Sequence, residues 1–170
     1  FPLPNFIFFP NTSAPLNIFE PRYIRMIDDS IKSNRMIGMA QPKGISNSKK
    51  PELFKVGCVG KISSFNETDD GRYVILLNGV SRFNIVEEID NGKLYREFKI
   101  DFNEFKNDIN TKDLDINFSD FSHLFNNLKK IFEKQGYIIN WDELKKQSLD
   151  QTINTLSMAS PFTKEEKQML

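Results

Sequence analysis

The chain has 170 residues, with 23 Lys and Arg balanced by 23 Asp and Glu, so its formal net charge is zero. That length buries a real core in one domain, or in one domain with a small appendage. The neutral balance argues against a role built on gripping phosphates or an anionic membrane, although a local basic patch remains open.

One cysteine forms no internal disulfide, there is no His/Cys cluster for structural zinc, and no apolar run reaches about 18 residues. The start also lacks the basic-then-apolar order of a signal peptide. The expectation is a cytoplasmic chain without a cofactor or a membrane span. It opens on Phe1 rather than Met and stops inside a helical pattern, which leaves open sequence before Phe1 and after Leu170. The 16 phenylalanines admit two readings, a Phe-filled core or an exposed groove for apolar partners.

Residues 6–9 read as a short apolar strand, 11–15 as a turn, and 16–19 as a second strand. Glu20 then turns the chain into a helix over 21–33 with Pro21 in its first turn, where a missing N–H costs nothing. Tyr23, Ile24, Ile27 and Ile31 form its apolar stripe. Arg22 is within reach of Glu20, so a partly buried, fold-anchoring carboxylate–guanidinium pair is expected, and Arg22→Ala should lower the melting temperature by several degrees.

Residues 36–40 read as a strand and 41–53 as the longest polar loop of this half, the segment expected to be most mobile. Val56, Cys58, Gly60 and Ile62 alternate in a strand with a glycine-relieved face. Asp69-Asp70-Gly71 makes a hairpin turn into a strand over 73–77. Asn78-Gly79 signals a turn or bulge before a strand over 83–89, and Asp90-Asn91-Gly92 another turn before a strand over 94–102. Five or six short strands and one inserted helix argue for a curled antiparallel sheet or small barrel over 1–102.

Residues 103–118 are acidic and Asn-rich and read as a linker or irregular crossover. From 119 the period becomes helical, with Phe121, Leu124, Phe125, Leu128, Ile131 and Phe132 on one stripe and Gly136 as the stop. Short helices follow around Trp141 and Leu144 and around Leu149, Ile153 and Leu156. Thr163 to Glu166 forms a capping box for a last helix. The expected architecture is α+β, with a small helical bundle over 119–170.

Chemistry-bearing patterns are sparse. The sole histidine, His123, lies on a helix beside the apolar stripe and reads as solvated, and Cys58 reads as a buried structural thiol. Gly57-x-x-Gly60-Lys61 lacks the spacing and the following helix of a phosphate loop. The pairs Asp28-Asp29, Asp69-Asp70 and Glu87-Glu88 read as surface and turn carboxylates. Lys43, Lys49, Lys50 and Lys55 read as a solvated loop without the aromatic interleaving of a nucleic-acid surface.

In order along the chain, Pro2-Leu3-Pro4, Phe9-Pro10, Ile18-Phe19-Glu20-Pro21-Arg22-Tyr23, Ile37-Gly38-Met39-Ala40, Gly57-Cys58-Val59-Gly60, Asp70-Gly71-Arg72 and Gly79-Val80-Ser81-Arg82-Phe83 form an ordered set. Pro161-Phe162 and residues 166–170 continue it. The set resembles the N-terminal, substrate-binding domain of the Lon protease family, more weakly over 103–143. The wording at 19–23 is most similar to the small free-standing bacterial LON-domain proteins.

The resemblance implies a PUA-like antiparallel β pseudo-barrel with one inserted helix, followed by a helical bundle. It also implies a non-enzymatic module that holds unfolded or apolar protein segments, as this domain does in Lon. A similar domain in cereblon is part of a ubiquitin-ligase receptor. Neither the ATPase module nor the Ser–Lys dyad of Lon occurs within these residues, so proteolysis is not implied.

The partners expected are client proteins and a protease or chaperone, with the chain a monomer or weak dimer. An RNA-binding PUA-like module is the alternative, which the neutral charge opposes. The candidate protein-binding residues are Phe19, Tyr23, Lys43, Leu53 and Phe54. Glu20, Pro21, Arg22, Asp70, Gly71, Arg72, Gly79 and Arg82 are expected to carry structure.

Overall fold

The computed structural model describes residues 1–44, 50–109 and 121–170. They fall into two compact units, Phe1–Asn110 and Thr111–Leu170.

The first unit is built on one five-stranded antiparallel sheet. Its strands are β1 (Ser13–Ile18), β2 (Met36–Pro42), β3 (Leu53–Glu67), β4 (Tyr73–Ile89) and β5 (Glu97–Asp101), with helix α1 (Pro21–Ile31) between β1 and β2. The path is β1-β4-β3-β2, and β5 also pairs with β4. β1 takes one end of a β4 edge, from Ser13 opposite Asn78 to Ile18 opposite Tyr73, and β5 takes the other, from Asn84 opposite Asp101 to Ile89 opposite Glu97.

Several expectations change. Residues 6–9 are not a strand: Asn5 and Asn11 hold positive φ on either side, and the segment instead buries Phe8 and Phe9 in the core. The turn expected at 11–15 ends early, because Ser13 already pairs with Asn78. β4 runs unbroken through Asn78-Gly79, where the register shifts around Val80, so that signal marks a bulge. The strand expected over 94–102 shortens to β5, and residues 90–96 form a loop.

Gly79 sits where the Phe9-Pro10 backbone crosses β4. A Cβ there would lie 2.1 Å from the Phe9 carbonyl oxygen. Glycine thus allows a close crossing in which the Asn11 N–H donates to Gly79 O at 3.0 Å and the Gly79 N–H to Thr12 O at 2.8 Å. Gly57 does similar work on β3, where a Cβ would meet both Met39 O and the Phe83 ring at 2.6 Å.

The strand alternation is read out in burial. Ile75 and Leu77 are enclosed with Ile62, Cys58 and Ile27, while Val74 and Leu76 face out. The buried face of α1 is Tyr23, Met26, Ile27 and Ser30, turned from the expected stripe so that Ile24 and Ile31 are only half-buried. Ser30 goes inward because its hydroxyl donates to Met36 O at 3.2 Å.

Residues 103–109, expected as linker, fold back on the sheet as a 3-10 turn (Asn103–Phe105) and helix α2 (Lys106–Ile109). Residues 110–118, and 45–49 of the expected loop, lie outside the described residues. The loop itself is shorter than expected, since Gln41 and Pro42 end β2 and Leu53 opens β3.

The second unit contains α3 (Ser122–Lys134), α4 (Trp141–Leu144), α5 (Leu149–Ala159) and α6 (Lys164–Met169). Phe125, Phe132, Leu144 and Leu156 form its buried core, with Phe121, Leu128, Trp141 and Leu149 packed around them. Leu124, Ile131 and Ile153, assigned inward by periodicity, are about half-exposed. Capping boxes at Ser148 and Thr163 satisfy the first N–H groups of α5 and α6. Among the phenylalanines, Phe8, Phe9, Phe83, Phe125 and Phe132 are buried in the cores, whereas Phe19, Phe65 and Phe162 are exposed.

Candidate functional site

The β1–α1 corner is set by local chemistry. Glu20 is extended at φ −74° and ψ 131°, and its carbonyl accepts from the Tyr23 and Ile24 N–H groups at 2.9 and 3.0 Å. Pro21 opens the helix without a wasted donor. Arg22 reaches back to Glu20 at 2.7 Å, but both side chains are 43% exposed. The partly buried anchor expected here is therefore a solvated pair, because Pro21 and Arg22 occupy the outward side of the first turn. The Arg22 guanidinium also lies over the Tyr23 ring, 4.5 Å from its centroid.

This corner forms one wall of a cleft of about 810 Å³. Residues 1–4, Pro42, Lys50, Pro51 and residues 88–96 line the rest of it. Phe19 is 63% exposed and Leu94 70%, and both line the cleft, whereas Tyr23 is buried with its ring edge against Phe1 at 4.4 Å. Burial is the main reason the Tyr23 phenol is pushed above its ordinary value.

The cleft's cations have carboxylate partners. Arg22 pairs with Glu20, Lys50 lies 3.9 Å from Glu88, Lys93 pairs with Glu97 at 2.6 Å, and Arg96 holds Glu88 through two bonds of 2.9 and 2.8 Å. What this surface offers a ligand is aromatic and aliphatic area among cations that already have partners, with Asp90 as an exposed carboxylate.

Of the expected binding residues, the structure brings only Phe19 and Tyr23 to the cleft. Lys43 is exposed and paired with Glu52 at the end of the β2–β3 hairpin, so it belongs to neither hollow. Leu53 lines a second hollow of about 750 Å³ between α1, β2 and β5, and half-buried Phe54 lines neither.

Among the expected structural residues, Asp70 and Arg72 pair across the turn at 2.8 Å beside Gly71. Arg82 has a larger part. Asp108 of α2 accepts from its backbone N–H at 2.9 Å, its Nε at 3.0 Å and its Nη2 at 2.8 Å. Asp108 is 8% exposed, while Arg82 also covers the Phe105 ring. The Asp108 side chain thereby satisfies a β4 edge donor in the gap between β1 and β5. Burial pushes the Asp108 carboxyl up, but the Arg82 bonds outweigh it and hold the carboxyl below its ordinary value.

Sequence reasoning missed Asp108, Asp29 and Tyr95. Asp28 and Asp29 are not idle surface carboxylates, since Tyr73 donates to Asp28 at 3.0 Å and Tyr95 to Asp29 at 2.8 Å. Nothing local marks these residues, because their partners lie 26 to 66 positions away. Cys58 is buried as expected, and burial raises its thiol to about 12, outside the range of a nucleophile. His123 is exposed on α3. Among the described residues no group of three His, Cys, Asp or Glu could hold a metal ion, and no helix is long and apolar enough to cross a membrane.

The family model of the ATP-dependent protease La (LON) substrate-binding domain matches residues 1–170. The Lon protease of Cytophaga hutchinsonii is 30% identical over 93 residues, covering 53% of this chain and 11% of that protein. Lon protease 2 of Sorangium cellulosum is 28% identical over 87 residues, covering 49% and 11%. The chain thus spans only a small part of these curated relatives, and the matched half is its N-terminal part.

The crystal structure of the Lon N-terminal domain protein from Xanthomonas campestris aligns over 99% of this chain and 85% of its own, with TM-score 0.59 and 18% identity. The N-terminal domain of Mycobacterium avium complex Lon protease aligns over 99% and 86%, with TM-score 0.59 and 13% identity. At those identities the likeness is one of fold, an antiparallel sheet with helices.

Proposed function

Because the chain belongs to the family of the ATP-dependent protease La (LON) substrate-binding domain, we propose that it is a non-enzymatic module holding unfolded or apolar segments of client proteins in the β1–α1 cleft. The observation that carries this reading is the exposed Phe19 beside Leu94 in a hollow whose cations are paired with carboxylates. Such a surface rewards apolar area rather than charge. Phe19 is the contact residue, and buried Tyr23 shapes the wall behind it.

The finer architecture we propose is a PUA-like pseudo-barrel followed by a helical bundle. A cytoplasmic location, a protease or chaperone that receives the client, and a monomeric or weakly dimeric state complete the reading. The RNA-binding alternative gains no support from a cleft whose cations are compensated.

Labelled, reduced and carboxymethylated casein, followed by fluorescence anisotropy, tests this function. Binding at tens of micromolar or tighter is expected. Phe19→Ala should weaken it about tenfold, which is the scale of burying most of one aromatic ring after the cost of ordering. Its melting temperature should match the parent, since the ring is 63% exposed. No binding at tens of micromolar would refute the reading.

A further inference from the structure

The two hollows of the first unit share a wall. Phe1, Ile89, Lys93, Tyr95 and Arg96 line both the 810 Å³ cleft and the 750 Å³ hollow behind it. Four of the five belong to the end of β4 and the 90–96 loop. That loop has no place in the sheet ladder. Side chains hold it instead. The Tyr95 hydroxyl donates to Asp29 Oδ2 on α1 at 2.8 Å, and Arg96 donates to Pro51 O at 2.7 Å and to both Glu88 oxygens. Residues 90–94 are exposed.

The second hollow takes its apolar wall from Met26, Ile37, Phe83, Ile85, Phe98 and Ile100, with Asp29, Ser33, Asn34 and Glu97 as polar groups in the same lining. It continues the apolar lining of the first, and the cations between them, Lys93 and Arg96, are paired. An acidic chain therefore meets cations that already have carboxylate partners and the exposed carboxylate of Asp90, whereas an uncharged apolar one meets apolar surface in both hollows.

We propose that the 90–96 loop is a strap dividing one continuous groove, latched to α1 by the Tyr95–Asp29 hydrogen bond. Its release lets a single extended, uncharged apolar segment occupy both hollows. The inference rests on the proposed function for its ligand but not for its latch. A segment of about five residues spans about 16 Å and uses one hollow, while one of about ten residues spans about 33 Å and needs both. The strap therefore sets the length of client segment that binds.

The test compares the parent with Tyr95→Phe, Asp29→Ala and Asp29→Asn, the last of which keeps a carbonyl acceptor for the tyrosine hydroxyl. The rate of trypsin cleavage after Lys93 reads the latch without ligand, since a protease needs the loop to move out of its tethered conformation. Anisotropy with labelled five- and ten-residue peptides of alternating Phe and Ser reads the groove.

Tyr95→Phe and Asp29→Ala should speed cleavage after Lys93 about tenfold and tighten the longer peptide about threefold, as a larger open population requires. The shorter peptide should not change, and Asp29→Asn should stay near the parent. Unchanged cleavage after Lys93 in Tyr95→Phe would overturn the latch. Equal tightening of both peptides would overturn the shared groove. If neither peptide binds any form, the proposed function and the groove fall together, and the cleavage rate alone confirms or overturns the latch.

Discussion

Replacing Asp108 by alanine removes the acceptor of three Arg82 bonds at once. Breaking a buried ion pair from one side costs about 3–5 kcal/mol, but Arg82 is 37% exposed and regains water, which lowers the figure. The β4 N–H of Arg82 regains less, and an unsatisfied buried donor costs about 1–3 kcal/mol. A total of about 2.5 kcal/mol follows. With an unfolding entropy of about 2.1 cal/mol/K per residue over the first unit, Phe1–Asn110, this lowers the melting temperature by about 11 °C.

Far-UV circular dichroism of the sheet transition measures it, with fluorescence of the sole Trp141 assigning the second unit's transition. Asp108→Asn should fall between parent and alanine variant, because the amide keeps one acceptor. The folded carboxyl lies below its ordinary value. Its contribution is therefore fully present above about pH 4, the usual carboxylate range, and disappears as pH falls through the lower folded value. The gap between parent and alanine variant should be constant near neutrality and close in acid. A shift below about 2 °C at neutral pH would refute the edge-satisfying role of Asp108.

Arg22→Ala is expected to cost only about 0.5 kcal/mol, since its pair with Glu20 is exposed; a melt lowered by more than about 5 °C would reinstate a buried anchor. Gly79→Ala drives a methyl into the Phe9 carbonyl and should destabilise the first unit by about 3 kcal/mol or more, read by urea unfolding, and parental stability would contradict the crossing. Native Cys58 should resist a thiol reagent at neutral pH and react only after denaturation, and rapid labelling of the folded chain would argue against its burial.

The elements legible in the sequence are those whose cause is local. Pro21 after Glu20 marks the start of α1, Asp70-Gly71 the β3–β4 turn, and the Thr163 capping box the start of α6. The apolar spacing around Phe125 and Phe132 likewise marks α3. Where periodicity failed, a partner elsewhere in the chain competed with it. Ser30 displaces Ile31 from the buried face of α1 because Met36 O needs a donor. Phe8 and Phe9 leave the ladder because positive φ at Asn5 and Asn11 turns the segment into the core instead.

The ordered Pro, Gly and aromatic positions determined the family and the antiparallel sheet with helices, since backbone geometry at those positions depends on the residue itself. The tertiary structure alone decided where charge is buried and where the cleft lies. Local chemistry favoured Glu20–Arg22, two residues apart, as a partly buried pair, yet that pair faces water and Arg82–Asp108 holds the sheet edge. Tyr95 and Asp29 meet across 66 positions and tie to α1 a loop whose residues line both hollows. A side chain's free energy is set by the dielectric and the partners around it, and those exist only once distant segments have been brought together.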